Sequence, residues 1–512
     1  MILVGNKQLS LNDVYAILFK EEKIALDKEA LKNVVSNHAF LLKFSEGKVI
    51  YGINTGFGPM AQYKINGEDT EKLQYNLIRS HSAGSGPLLP DLYIKAVLLA
   101  RLNTFMLGYS GVDDPIVYLL AEFINRNIFP CIPERGGVGA SGDLVQLAHL
   151  ALTLIGEGEV TYNGIKNPTS RILQDQKLTP ITIKLREGLA TMNGTSAMTG
   201  IGAINLIYAK KLLQWSIIAS SMINEMVEAY DDYFSEELNG VKLHPGQKYV
   251  ASAMRNILKN SQLIKTRKDH LYQEVTVETT FKEKVQEYYS LRCVPQVLGP
   301  IWDTITNTEK VLIDEINSVN DNPVVDEKNN NVFHGGNFHG DYVALEMDKL
   351  KIAVSKLSML AERQLNYLMN NKLNEKFPPF MNLGVLGLNF GMQGVQFTAT
   401  STVAENQTLS FPMYLHSIPN NNDNQDIVSM GTNAALITKR VIENTFDVLA
   451  IEFIAIVQGI DYLNAKEKIS DYSKNIYNKI REIVPRFETD TVKYPDIERV
   501  RNFLMVEEVQ IL

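Results

Sequence analysis

The sequence predicts a mainly α-helical globular protein. Three observations point there. Apolar side chains recur at helical spacing over long segments, alternating strand patterns are short and few, and no internal repeat, low-complexity tract or Pro/Gly/Ser linker breaks the chain. At 512 residues, with 45% apolar and 21% charged side chains, the chain suffices for two or three ordinary domains, or one large one with a long helical core.

Taken in order, Leu144, Leu147, Ala148, Ala151 and Leu154 fall at i, i+3, i+4 positions and mark a helix directly after a glycine-rich segment. The string GEVTYNG, residues 158–164, reads as part of one small hairpin. A long helix is expected from about Thr199 to Tyr233, and Lys210 and Lys211 inside it place it in a soluble bundle. Leu350, Val354, Leu357, Ala361, Leu365 and Leu368 form a further stripe between Asp341 and about Met369. The expected organisation is an N-terminal globular domain, residues 1–200, followed by an elongated helix bundle, residues 201–512. A thin bundle cannot cover its own apolar faces, so oligomerisation is expected.

Composition excludes several function classes. Fifty basic against fifty-eight acidic side chains leave a net charge of −8, which speaks against nucleic acid or an anionic membrane as the main partner. Cys131 and Cys293 are too few for a disulfide framework and suit a reducing cytoplasm. The first residues, MILVGNKQLSLND, have no basic stretch followed by a long apolar run, so no signal peptide is expected. The longest charge-free stretch, Phe377 to Ala404, is too polar and too broken by Pro and Gly for a membrane span and reads as a buried polar lining.

The densest signal is Gly136-Gly137-Val138-Gly139-Ala140-Ser141-Gly142-Asp143. Gly137 to Gly142 fits G-x-G-x-x-G, but that fingerprint needs a preceding strand and a βαβ unit, and here Pro130 and Pro133 precede it. No Gly-Lys-Ser/Thr follows, so a P-loop also fails. A flexible turn capped by Asp143 is the plain structural reading. A chemical reading stands beside it. The nitrogen of Gly142, unhindered by a Cβ, can attack the carbonyl carbon of Ala140. Loss of water on cyclisation and again from the Ser141 side chain gives 4-methylideneimidazole-5-one (MIO), an electrophile at a helix N-terminus.

The run GGVGASGDLVQLAHLAL resembles the prosthetic-group segment of the aromatic amino acid ammonia-lyases: histidine, phenylalanine and tyrosine ammonia-lyase and the related aminomutases. Gln146 departs from the proline of many members, but it follows the triad and leaves the cyclisation untouched. Six more segments match in order: VIYGINTGFG with Tyr51, RSHSAG with Ser80 and His81, TMNGTSAMTG with Asn193, VQEYYSLRCVPQ with Gln286, Tyr289 and Arg292, GGNFHGD with Phe338, and NNNDNQDIVSMG with Asn424 and Gln425.

The resemblance implies an L-aspartase-like elongated helix bundle. It also implies a homotetramer with shared active sites, so Tyr51, Ser141 and Arg292 need not meet within one chain. The prosthetic group would form autocatalytically from Ala140-Ser141-Gly142, with no metal and no nucleotide. The implied reaction removes a weakly acidic β-proton and a poor leaving group, ammonia, from an aromatic α-amino acid. Tyr51 is the expected base. Arg292 suits the substrate carboxylate, because guanidinium binds carboxylate bidentately and stays charged. Asn193 would bind the carboxylate or amine and support ring formation. Tyr289, with Gln286, would order the electrophile or relay a proton. Phe338 would pack on the substrate or the prosthetic ring, and Asn424 and Gln425 would line the pocket. His334 and His339 are spaced H-x-x-x-x-H, which matches no strong zinc pattern, so no metal is expected.

Two positions bear on the substrate. The histidine branch carries glutamate where this chain has Gln425, and a neutral amide cannot pair with imidazolium. His81 can hydrogen-bond a phenolic hydroxyl, and phenylalanine would leave it unpaired. The order Ser80-His81, however, is that of the histidine enzymes. The wider strings resemble bacterial tyrosine ammonia-lyases. The expected reaction is L-tyrosine to trans-4-coumarate and ammonia, in the cytoplasm, with histidine to urocanate and a tyrosine 2,3-aminomutase as the alternatives.

Overall fold

A computed structural model describes residues 1–273, 279–281 and 284–511. Helices dominate, as the periodicity predicts. The stripe at 341–369 forms the helix Asp341–Met369, and the stripe after the glycine segment forms Leu144–Leu154. The helix expected at about 199–233 runs Ser196–Met226. The hairpin at 158–164 is Glu159–Tyr162 paired antiparallel with Ile165–Pro168, in register Glu159 to Pro168 and Tyr162 to Ile165, with Phe129–Pro130 added on the other edge.

The described residues divide into two compact units. The first holds residues 1–207, 308–348 and 412–439; the second holds 208–307, 349–411 and 440–512. This differs from the contiguous 1–200 and 201–512 expected above. Four of the five cuts fall inside long helices, Ser196–Met226, Val294–Ile316, Asp341–Met369 and Gly431–Tyr462, which is why no linker composition marks them.

In the first unit, the helix Asp91–Met106 is buried over every residue from Tyr93 onward. It has no polar face because neighbours cover it on all sides. The short helix Glu187–Met192 is likewise wholly buried. Around them lie small strand pairs: Ile2–Val4 parallel to Ile24–Leu26, Ser85–Leu88 antiparallel to Pro133–Arg135, and Val324–Asp326 antiparallel to Asn331–Phe333. The glycine segment does follow a strand, Pro133–Arg135, but its partner is antiparallel, and among the described residues no βαβ unit surrounds it.

The second unit is built of helix. Trp215 is fully buried there, edge-to-face on Phe453 at 5.4 Å between centroids, and its indole N–H donates to the Leu504 carbonyl at 2.9 Å. That contact satisfies the polar handle of the largest core side chain. The charge-free stretch 377–404 corrects an expectation. Val395, Ala399 and Val403 are buried, but Val385, Leu386, Leu388, Phe390 and Phe397 are exposed. A segment without charge looks the same in sequence whether the chain's own core covers it or leaves it open. Among the described residues, no helix is long and apolar enough to cross a membrane.

Candidate active site

The first unit encloses a cavity of about 740 Å³. Eight of the residues singled out by sequence line it: Tyr51, Ser80, His81, Ser141, Asn193, Phe338, Asn424 and Gln425. Ala140 and Gly142 flank Ser141, with Ala140 buried. Gln286, Tyr289 and Arg292 do not line it. They lie in the second unit, where Gln286 and Tyr289 line a separate cavity with Lys284, Glu287 and Tyr367. Arg292 donates from Nε to the Glu287 carbonyl at 3.1 Å, and its guanidinium lies 4.6 Å from the Tyr289 ring centroid. Tyr51 and Ser141 thus meet within one chain, and Arg292 does not join them.

Backbone geometry seats the triad. Gly142 has φ +70°, and a Cβ there would fall 2.0 Å from the Gly194 carbonyl oxygen, so only glycine fits. Asp143 N–H donates to that same oxygen at 2.8 Å. The Ser141 carbonyl oxygen accepts from Asn193 Nδ2 at 3.0 Å and from Gly194 N–H at 3.4 Å. Two donors therefore converge on one carbonyl of the triad. The Ser141 hydroxyl oxygen accepts from Gln425 Nε2 at 2.8 Å. Gly139 O accepts from Ser429 Oγ at 3.0 Å and from Gly340 N–H at 3.1 Å, which anchors the upstream side.

Asp143 stands at the N-cap position of Leu144–Leu154 but makes no side-chain cap there. Its carboxylate instead accepts from Met198 N–H at 2.8 Å and from the Thr432 hydroxyl, capping the helix Ser196–Met226. The turn is thus tied to a second helix. Complete burial pushes the Asp143 carboxyl up to about 6, against the opposing pull of Thr432, the Met198 and Ala197 N–H groups and Arg101.

Tyr51 Oη accepts from Gly58 N–H at 3.3 Å, and its ring packs edge-to-face on Phe57 at 6.2 Å. Because Oη is the acceptor there, its own proton is free for another partner. His81 Nδ1 lies 3.0 Å from the Leu77 carbonyl. Ser80 Oγ lies 3.0 Å from the same nitrogen and suits either tautomer; donation from Nδ1 to the carbonyl is the arrangement that leaves Nε2 as an acceptor.

Sequence reasoning did not place Leu73, Asn76, Leu144, Leu189 or Asn421 in the lining, and it weighed His334 only as a metal ligand. Leu73, Asn76 and Ser80 recur at helical spacing on Thr70–His81, a signal that the Ser80-His81 motif alone does not use. Burial, with the charge of Arg186, holds the His334 imidazole below its ordinary range.

Residues 9–482 match the family described as aromatic amino acid lyase, and the chain belongs to that family. It is 39% identical over 504 residues to a tyrosine 2,3-aminomutase of Myxococcus sp. (strain Mx-B0), covering 97% of this chain and 95% of the relative. It is 38% identical over 503 residues to a histidine ammonia-lyase of Halalkalibacterium halodurans, covering 98% and 95%. Among solved structures it is similar to a tyrosine aminomutase from Streptomyces globisporus, with a TM-score of 0.93, 35% identity and coverage of 98% and 96%.

Proposed function

We propose that the protein is an ammonia-lyase that converts L-tyrosine to trans-4-coumarate and ammonia, with an MIO electrophile formed from Ala140-Ser141-Gly142. The observation that carries this reading is the triad at the cavity wall, with the Ser141 carbonyl held by Asn193 and Gly194. The residues fit the group. Gly142 is folded back at φ +70° where a Cβ is excluded, and two donors already meet the carbonyl that the ring would keep. Once formed, the group supplies an electrophilic methylidene conjugated to that carbonyl.

The chain's own residues do the rest. Asn193 and Gly194 draw electron density toward the Ser141 oxygen, as preorganised donors do at a developing oxyanion. Tyr51 acts as the phenolate: once its own proton has been given up, Oη takes the proton from the substrate β-carbon. The Cα–N bond breaks, the Cα–Cβ double bond forms, and ammonia leaves. His81 Nε2 accepts the substrate's phenolic hydroxyl, and phenylalanine in the same place leaves that acceptor unpaired. Gln425, on the Ser141 hydroxyl, contributes no charge for an imidazolium. Phe338, Ser80 and Asn424 complete the walls.

Arg292, Tyr289 and Gln286 join this site from another copy of the chain in a homotetramer. The support is that Tyr289 is 71% exposed on the single chain, and that none of the three reaches the chain's own Ser141 cavity. Arg292 then takes the substrate carboxylate.

A second reading, a tyrosine 2,3-aminomutase, is supported by the names of the relatives at 39% and of the similar solved structure. Histidine ammonia-lyase is supported by the order Ser80-His81 and by the relative at 38%. Ultraviolet assay with tyrosine, histidine and phenylalanine in parallel, followed by chromatography of the products, separates the three. Coumarate supports the proposal; β-tyrosine or urocanate as main product overturns it.

A further inference from the structure

Two guanidinium groups in the first unit, Arg101 and Arg186, are completely buried. Burying a cation is costly unless acceptors surround it, so both placements need a reason. Arg101 donates to the carbonyls of Ala190 at 2.9 Å and Asn193 at 2.7 Å, and to Ser196 Oγ at 2.9 Å. It holds the backbone on which Asn193 sits. Arg186 donates to Asp321 Oδ2 at 3.3 Å, Asn322 O at 3.0 Å and Pro323 O at 3.1 Å, and also to the Ser110 carbonyl. Three consecutive residues thus accept from one planar fork.

The middle one of the three reaches the triad. Asn322 N–H donates to Asn193 Oδ1 at 2.8 Å. A backbone N–H can only donate, so this contact fixes which way the Asn193 amide points. Oδ1 faces Asn322, and the NH₂ group faces the Ser141 carbonyl. Reversing the amide would set N–H against N–H on one side and oxygen against oxygen on the other.

We propose that Arg186 is a positioning residue: by gripping 321–323 it fixes the Asn193 amide, and so the hold on the Ser141 carbonyl that triad cyclisation and turnover need. This rests on the MIO reading above. Lysine cannot substitute, because a single ammonium does not span three acceptors set for a guanidinium. Arg186 lines no part of the Ser141 cavity, so it acts on the site only through Asn322 and Asn193, which do line it.

The test uses the full chain as Arg186→Lys and Arg186→Gln. Folding is followed by circular dichroism and thermal unfolding, dehydration of the triad by mass spectrometry of the peptide containing it, and turnover by kcat and KM with L-tyrosine. The expected result is a folded variant with an incompletely dehydrated triad. Its kcat per dehydrated triad should be about tenfold lower with a smaller change in KM, short of the roughly hundredfold that a 1 Å misplacement can cost. A variant that only melts earlier, with full dehydration and wild-type kcat, overturns the proposal. Should neither variant fold, a crystal structure of the wild-type protein decides: Asn322 N–H bonded to Asn193 Oδ1 supports the proposal, and a separation beyond hydrogen-bond distance or a reversed amide overturns it. A wild-type chain with no dehydration would instead overturn the MIO reading, so the two failures are distinct.

Discussion

Asn193 Nδ2 lies 3.0 Å from the carbonyl oxygen of Ser141, with Gly194 N–H on the same oxygen at 3.4 Å. The residues come from separate segments of the first unit and meet because Gly142 and Gly194 run side by side as a parallel bridge. Replacing Asn193 with Ala removes the stronger of the two donors. We expect kcat to fall about 100-fold, the range seen when one oxyanion donor is lost, with a smaller dehydrated fraction of triad by peptide mass. Wild-type kcat in that variant would remove the residue from the mechanism.

Gly142→Ala should stop cyclisation altogether. The added methyl would meet the Gly194 carbonyl at 2.0 Å, and φ +70° is strained for any L side chain. The peptide from the variant should carry the full mass of its sequence, while circular dichroism still reports a helical protein.

His81→Leu should change ring preference. With no acceptor for the phenol, kcat/KM for tyrosine should drop by about tenfold or more, while phenylalanine, no longer leaving the His81 ring nitrogen unpaired, should improve. Competition between the two substrates at equal concentration measures the ratio directly. An unchanged ratio would mean that His81 does not read the ring.

Much of this site was legible because glycine and polar motifs carry chemistry at fixed spacing. Tyr51, Ser80, His81, Asn193, Phe338, Asn424 and Gln425 all converge on Ser141. What sequence did not show is what holds them. Arg101 sits in the otherwise apolar run AVLLARL and Arg186 precedes the buried helix Glu187–Met192, and neither spacing reveals that Arg101 grips the Asn193 carbonyl or that Arg186 grips Asn322, which in turn holds the Asn193 side chain. The unit boundaries were hidden for a related reason. They fall within continuous helices, where periodicity is uninterrupted.

Asp143 predicts a pH dependence of stability. Its carboxyl is raised in the folded chain from 3.8 to about 6, so the folded state binds this proton more tightly than the unfolded state does. Stability from this group is therefore present at low pH and is lost as pH rises through about 6. Denaturant unfolding of wild type and Asp143→Asn across that range should give a difference that varies with pH near 6 and levels off above it. A pH-independent difference would show that Asp143 titrates at its ordinary value.

If Arg292 serves a neighbouring copy's cavity, two inactive variants should rescue each other. Ser141→Ala and Arg292→Ala, each inert alone, should regain about a quarter of wild-type activity when co-assembled at equal amounts, because that share of sites draws both intact residues from different copies of a symmetric oligomer. No recovery in a mixed oligomer would place Arg292 outside the shared site.

The most direct test is the mass of the purified protein's peptide spanning Ala140, Ser141 and Gly142. The wild-type peptide should be lighter than its sequence by two water molecules, and the Ser141→Ala peptide by at most one, because it lacks the hydroxyl that leaves as the second. A wild-type peptide of full mass, in a protein that still converts tyrosine to coumarate, would contradict the MIO reading.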